Sequence, residues 1–140
     1  MIKQSTDQRG ETPVLGTAAG SPIGTDILSN EPLEYVKCPP GLVGVRDAYM
    51  LWVNGSSMAP KFENGEPLFI NPHRPVRQND YVVVQVFENG GLKALVKRFI
   101  RDSEHTVELE QFNPPAKISI KKEQVHRIHR ILTATEIAGI

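Results

Sequence analysis

The chain has 140 residues, the size of one ordinary domain with a real core. Sixteen Lys and Arg balance sixteen Asp and Glu, so the formal net charge is zero, without the basic surplus that phosphate neutralisation demands of a stand-alone DNA binder. With 39% hydrophobic and 23% charged residues the composition is globular, and the single cysteine, Cys38, excludes an internal disulfide framework. No apolar run approaches the ~20 residues of a membrane helix, and no signal-peptide core opens the chain. A cytoplasmic protein is expected.

In chain order, residues 1–13 are polar without an apolar period and read as a flexible lead-in or linker. Residues 14–24, VLGTAAGSPIG, are small and Gly-rich, a segment able to run extended without packing on itself. Turn residues crowd 25–47, from Pro32 to Gly44. From residue 48 the pattern is that of strands. They are expected over Ala48–Val53, Pro67–Ile70, Tyr81–Phe87, Leu92–Ile100, Thr106–Phe112, Lys117–Ile120 and Val125–Leu132. Asn89-Gly90-Gly91 marks a hairpin between two of them. Ser57–Glu63 reads as a short helix and Thr133–Ile137 as a frayed end. The expected class is mainly β, with mostly antiparallel strands and little helix.

Three local features carry chemistry or an ordinary structural role. Val53 to Pro60 contains Gly55-Ser56-Ser57-Met58 directly after a strand. A serine at such a bend reads as a helix N-cap, or as a hydroxyl presented beside free backbone N–H groups. Alternation along the strand around Lys97 puts Leu95, Lys97 and Phe99 on one face and Val96, Arg98 and Ile100 on the other. Each face holds one cation among apolar residues, so the period does not choose between a buried lysine and one that snorkels at an edge. Thr17 to Pro22, by composition alone, is a loop.

The four histidines offer no metal-ligand spacing. His126 and His129 are three apart in a strand-like run, and alternation sends them to opposite faces. No metal and no cofactor are expected. Lys117, Lys121, Lys122, Arg127 and Arg130 read as a solvated face or as a partner patch. Trp52 and Phe99 read as core, and Cys38 as structural.

Taken together and in this order, the features resemble the self-cleaving Ser/Lys peptidase domain of LexA and the phage repressors. The residues that carry the resemblance are Gly55-Ser56-Ser57-Met58 with Pro60, Asn64-Gly65-Glu66, Val96-Lys97-Arg98 and, upstream, Ala19-Gly20. Asn71 to Pro75 and Gln111 to Pro114 add to it. It runs from about Val14 to the C-terminus. The resemblance implies a LexA-like C-terminal peptidase fold over residues 25–140. It implies Ser57 as nucleophile, Lys97 as general base and Ala19–Gly20 as the bond cut. Backbone N–H groups of Ser57 and Met58 would hold the oxyanion.

Only a neutral lysine accepts a proton. Full burial lowers a lysine from ~10.4 by ~3–5 units, which brings Lys97 near neutral pH. Cleavage should quicken as the pH climbs toward ~9–10, where a lysine titrates. The implied partners are a second copy of the chain, as a homodimer, and a RecA filament that favours the docked cleavage segment. Operator DNA would be met only through a helix-turn-helix domain absent from this chain, since the 19 residues before the bond show no helical period. The function so implied is the regulatory domain of an SOS-type repressor inactivated by its own cleavage. A second reading is a UmuD-like accessory protein of an error-prone polymerase, activated by the same cut. A signal peptidase shares the Ser-Met and lysine chemistry but needs a membrane anchor. An inert binding domain would keep the fold without the reaction.

Overall fold

The computed structural model describes residues 10–19 and 28–140. Among these, nine strands form one mostly antiparallel sheet. They are β1 (Glu11–Ala19), β2 (Glu34–Lys37), β3 (Tyr49–Asn54), β4 (Pro67–Ile70), β5 (Tyr81–Glu88), β6 (Gly91–Asp102), β7 (Thr106–Phe112), β8 (Pro115–Lys121) and β9 (Val125–Arg130). A single α-helical turn, α1 (Ala134–Ile137), follows, and no helix among the described residues is long and apolar enough to cross a membrane. The mainly β expectation holds, with the seven strands expected beyond residue 48 at close to their expected bounds.

Two strands lie outside that expectation. The segment read as lead-in and loop contributes β1, which starts at Glu11 and runs through the middle of the sheet order β4-β3-β1-β6-β5-β9. Its first residues pair antiparallel with β2. Its last residues lie parallel to β3 and to β6. Pro13 and Gly16 weaken β1 as an isolated strand, so partners on both sides and burial of Val14 and Ala18 fix it. The expected helix over Ser57–Glu63 is instead a run of turns, with Ala59 N donating to Ser56 O and Phe62 N to Met58 O. Pro60, without an N–H, interrupts the ladder a helix would need. At the C-terminus, by contrast, a capping box between Thr133 and Glu136 makes the frayed end a defined helical turn.

The β5–β6 hairpin closes through Asn89 (φ 49°) and Gly90 (φ 79°), the paired left-handed residues of a two-residue turn. Alternation along β6 then feeds two cores. Ala94 and Val96 join Tyr49, Leu51, Met58 and Val83 on one side. Leu95 and Phe99 join Val82, Val84, Val107 and Leu109 on the other. A third, smaller core gathers Cys38, Leu42, Ala48 and Leu132. Phe99 is buried as expected, whereas Trp52 is half-exposed and its indole N–H donates to Glu34 at 3.3 Å. Each fully buried Leu or Val contributes ~1.5–3 kcal/mol, and together these faces fix the register of β6.

Candidate active site

The serine turn is built at the end of β3. Gly55 adopts φ 103°, a left-handed value that favours glycine, and its N–H donates to Asn64 Oδ1 at 2.8 Å. Val53 N donates to Glu66 O, and Gly65 N to Val53 O, both at 2.8 Å, so the Asn64-Gly65-Glu66 turn braces the strand end. Met58 is 1% exposed and plugs into the Leu51 core. On the opposite side the carbonyl of Ser57 accepts from Phe112 N at 3.0 Å and Asn113 N at 2.8 Å. The Asn113 amide also donates to Ser56 O at 3.3 Å. The turn is therefore gripped by the β3–β4 connection and by the start of the β7–β8 connection.

Lys97 reaches the turn from β6. Its side chain is fully buried, on the face shared with Leu95 and Phe99. This resolves the choice the alternation left open: the lysine is inside, not snorkelling. Its Nζ donates to Ser57 Oγ at 3.2 Å, and Ser57 is itself 5% exposed. Burial, with a smaller contribution from repulsion by Lys93, lowers the Lys97 amine to about 8. A serine hydroxyl beside an amine that loses its proton near that pH can act as a nucleophile.

The third expected element is the bond Ala19–Gly20. Gly20 lies outside the described residues. The backbone of Ala19 is level with Asn54 of β3 on one side and Leu95 of β6 on the other. Leu95 precedes Lys97 by two residues, a rise of ~6.6 Å, and Asn54 precedes Ser57 by three. Val14 is buried, and Leu15 packs partly against the Leu51 core. The chain returns to β6 at Leu28, whose N–H donates to Leu92 O at 2.7 Å.

Three contributors escaped the sequence reading. The roles of Asn64 and Asn113 are local side-chain-to-backbone bonds, and their only signal was membership in the motif turns. Lys93 is 1% exposed on the same strand face as Lys97. In sequence it is a polar residue just after a hairpin turn, which ordinarily means exposure. The histidines stand elsewhere: His126 packs on Phe87, and Nδ1 of His129 lies 2.6 Å from the Tyr49 hydroxyl.

The sequence that builds this arrangement is similar to that of known proteins. The family description "Peptidase S24-like" fits residues 13–132, and the chain belongs to that peptidase family. It is 39% identical over 127 residues to a "Repressor protein C" of Rhizobium phage 16-3, covering 87% of this chain and 48% of the relative. It is 36% identical over 97 residues to a "LexA repressor" of Caldicellulosiruptor saccharolyticus, covering 66% of this chain and 44% of the relative. The chain thus spans about half the length of these curated relatives.

Proposed function

We propose that this chain is the regulatory domain of a self-cleaving transcriptional repressor, with Ser57 and Lys97 as its catalytic pair and Ala19–Gly20 as its substrate. The observation that carries the reading is the 3.2 Å contact between Lys97 Nζ and Ser57 Oγ, both buried. The names of the two relatives, both repressors, support the regulatory role.

In the proposed reaction the neutral Lys97 amine takes the Ser57 proton as Oγ bonds to the Ala19 carbonyl carbon. The oxyanion is held by the N–H groups of Ser57 and Met58, neither of which is taken by an acceptor among the described residues. Such a donor contributes about 3–4 kcal/mol in other systems. Lys97 then gives the proton to the Gly20 nitrogen as the peptide C–N bond breaks. Water hydrolyses the ester left on Ser57. Substrate and pair share one chain, so the step is unimolecular and its rate follows the population with β1 docked between β3 and β6. A RecA filament would act by favouring that docked form, as an inducer signalling DNA damage in the cytoplasm.

Two further expectations belong to this reading. A homodimer would pair two DNA-binding arms, one per half-site. In support, β9 ends the sheet order and pairs only with β5 among the described residues, leaving an edge that a second copy can meet. Operator DNA would be held by a helix-turn-helix domain outside this chain, and cleavage would part it from the dimer. Incubation of the purified chain at alkaline pH, followed by mass spectrometry, tests the reaction. A new N-terminus at Gly20, absent from Ser57→Ala and from Lys97→Ala, is expected. Processing by either variant at the parent rate would refute the assignment.

A further inference from the structure

Near the end of β7, Gln111 holds a buried oxygen that accepts nothing. The residue is 8% exposed. Its Nε2 donates to the Pro114 carbonyl at 3.0 Å. A carbonyl only accepts, so the amide nitrogen must lie on that side and Oε1 faces away from Pro114. Oε1 is fully buried and receives no hydrogen bond among the described residues. Native interiors keep few acceptors in that condition, because each has given up its bonds to water.

Two relations place Gln111 beside the Ser57–Lys97 pair. β7 runs antiparallel to β6, with Leu109 opposite Phe99 and Glu110 opposite Arg98. One step further in that register Gln111 comes opposite Lys97. Alternation puts it on the face of Val107 and Leu109, which is the face that buries Lys97. The next two residues clasp the serine turn, since Phe112 N and Asn113 N both donate to the Ser57 carbonyl. Lys97 Nζ meets the hydroxyl of that same serine at 3.2 Å.

The charged groups around this spot come from several elements. On β6, Lys93 shares the face four residues away, and Arg98 on the other face is bound to Glu110 and Asn79. On β5, Val82 stands opposite Lys97, and beyond it Arg130 of β9 is paired with Glu136. Glu108 and Glu110 alternate to the far side of β7. β8 turns Ile118 and Ile120 inward and leaves Lys117 and Lys121 exposed. β1 brings Ala19 level with Leu95.

We propose that Gln111 is a positioning residue of the self-cleavage reaction: its unpartnered Oε1 accepts a hydrogen bond from the Lys97 ammonium that forms when Ser57 gives up its proton. The proposal rests on the peptidase reading above, and it adds one acceptor without depending on what else meets the amine. A neutral amine carries two N–H bonds and an ammonium three, so the transfer creates a donor that needs an acceptor in a dry interior. The amide oxygen is uncharged, so it serves the ammonium without pinning the lysine in its charged form as a carboxylate would. The proton passes from Oγ to Nζ and then to the Gly20 nitrogen, and Gln111 exchanges no atom.

The test titrates the Lys97 amine by the NMR shift of its ε-carbon in the full chain carrying Ser57→Ala. Adding Gln111→Met, which keeps the length and removes the acceptor, should lower the midpoint by about half a pH unit or more. Adding Gln111→Glu, which sets a carboxylate in the same place, should raise it by about one unit or more. In the cleavable chain, Gln111→Met should move the pH–rate profile down and cut the alkaline plateau rate about tenfold. Loss of the Pro114 bond is common to both variants, so midpoints that move in opposite directions separate the proposed role from a merely structural one. A midpoint unmoved by Gln111→Met, or moved the same way by both variants, overturns the proposal and leaves Oε1 to an ordinary buried water. Gln111→Leu substitutes for the methionine variant if that one fails to fold. The titration needs no cleavage, so its failure is distinct from loss of the peptidase reading, which would show as no Gly20 product from the parent chain.

Discussion

Lys97 meets Ser57 at 3.2 Å although the two are forty residues apart and are fixed by different cores. The neighbour of Ser57, Met58, is buried in the core of Leu51 and Val96, while Lys97 lies on the face that buries Leu95 and Phe99. Neither side chain can drift without disturbing a packed face. The contact is thus preorganised, and the remaining variable is the proton.

The proton sets the pH dependence of the proposed reaction. With Lys97 lowered to about 8, its neutral form grows about tenfold per unit as pH rises toward that value and saturates above it. Self-cleavage of the purified chain should climb from pH 6 to about 8 and level off by about 9.5. That is lower than an ordinary lysine would give, because burial has already removed much of the cost of losing the proton. Single-turnover rates across this range check it, and a rate flat from pH 6 to 9 would exclude Lys97 as base.

The same burial makes Lys97 a cost to the fold. At pH 7 the folded amine is protonated in a dry site, while the unfolded lysine holds its proton in water. A folded value depressed from 10.5 to about 8 means that the unfolded state binds more protons between those limits, so stability rises with pH across that window. Lys97→Met should therefore stabilise the chain by ~1–3 kcal/mol at pH 7, with a smaller gain at pH 10, while abolishing cleavage. Urea unfolding at the two pH values measures both. A destabilised variant, or an equal gain at both pH values, would contradict the argument.

A second, half-buried group predicts acid sensitivity. Gln85 Nε2 donates to the Tyr49 hydroxyl at 3.1 Å, and that hydroxyl shares a hydrogen bond of 2.6 Å with Nδ1 of His129. Burial first, then Arg127, His126 and His73, lowers His129 from 6.5 to about 4. The unfolded state takes up the proton first on acidification, so stability is lost between pH 6.5 and 4. Partial exposure of the ring limits that loss to about 2 kcal/mol. Replacing His129 by Asn should lower stability at pH 7 but flatten its dependence over this window. Urea midpoints at pH 6.5 and 4.5 give the comparison, and an unchanged slope would remove His129 as the cause.

The expected strands were legible because Val82, Val84 and Val86, or Val107 and Leu109, alternate with residues of the other face and end at turn residues. The β1 strand was not, because Pro13, Gly16 and two alanines carry no period, and parallel pairing with β3 and β6 is a relation between distant segments. Ser57 and Lys97 were candidates through motif order alone. The period around Lys97 put one cation on either face, and only the packing of β7 and β8 over one of them made that face an interior. Lys93 was illegible for the same reason.

Packing at the C-terminal turn gives a prediction independent of the site. Glu136 receives Arg130 at 2.7 Å and Arg74 at 3.0 Å, and Arg130 first among these holds its carboxyl down at about 2. The carbonyl of the same residue closes over Gly41, where an added Cβ would stand 1.8 Å from it. Gly41→Ala must push α1 off the 3-10 turn Pro40–Leu42, which costs about 1–3 kcal/mol. Faster amide exchange at Ile137 and Ala138, with a lower thermal midpoint, is the expected result. A variant as stable as the parent would mean that α1 is free to shift.

The last prediction concerns docking of the cleavage segment. Between Val14 and Gly16 the register of β1 on β3 shifts by one residue, and Gly16 takes φ 142°, in the range that other residues rarely adopt. This bulge sets Ala19 level with Asn54 and Leu95. Gly16→Val should strain the bulge and favour a register without it, sliding Ala19 by one position and turning alternate side chains to the wrong face. Cleavage should slow by about tenfold or more and the urea midpoint should fall, because β1 lies mid-sheet with Val14 and Ala18 buried. Parent-rate cleavage by Gly16→Val would show that the strand position of Ala19 does not govern the reaction.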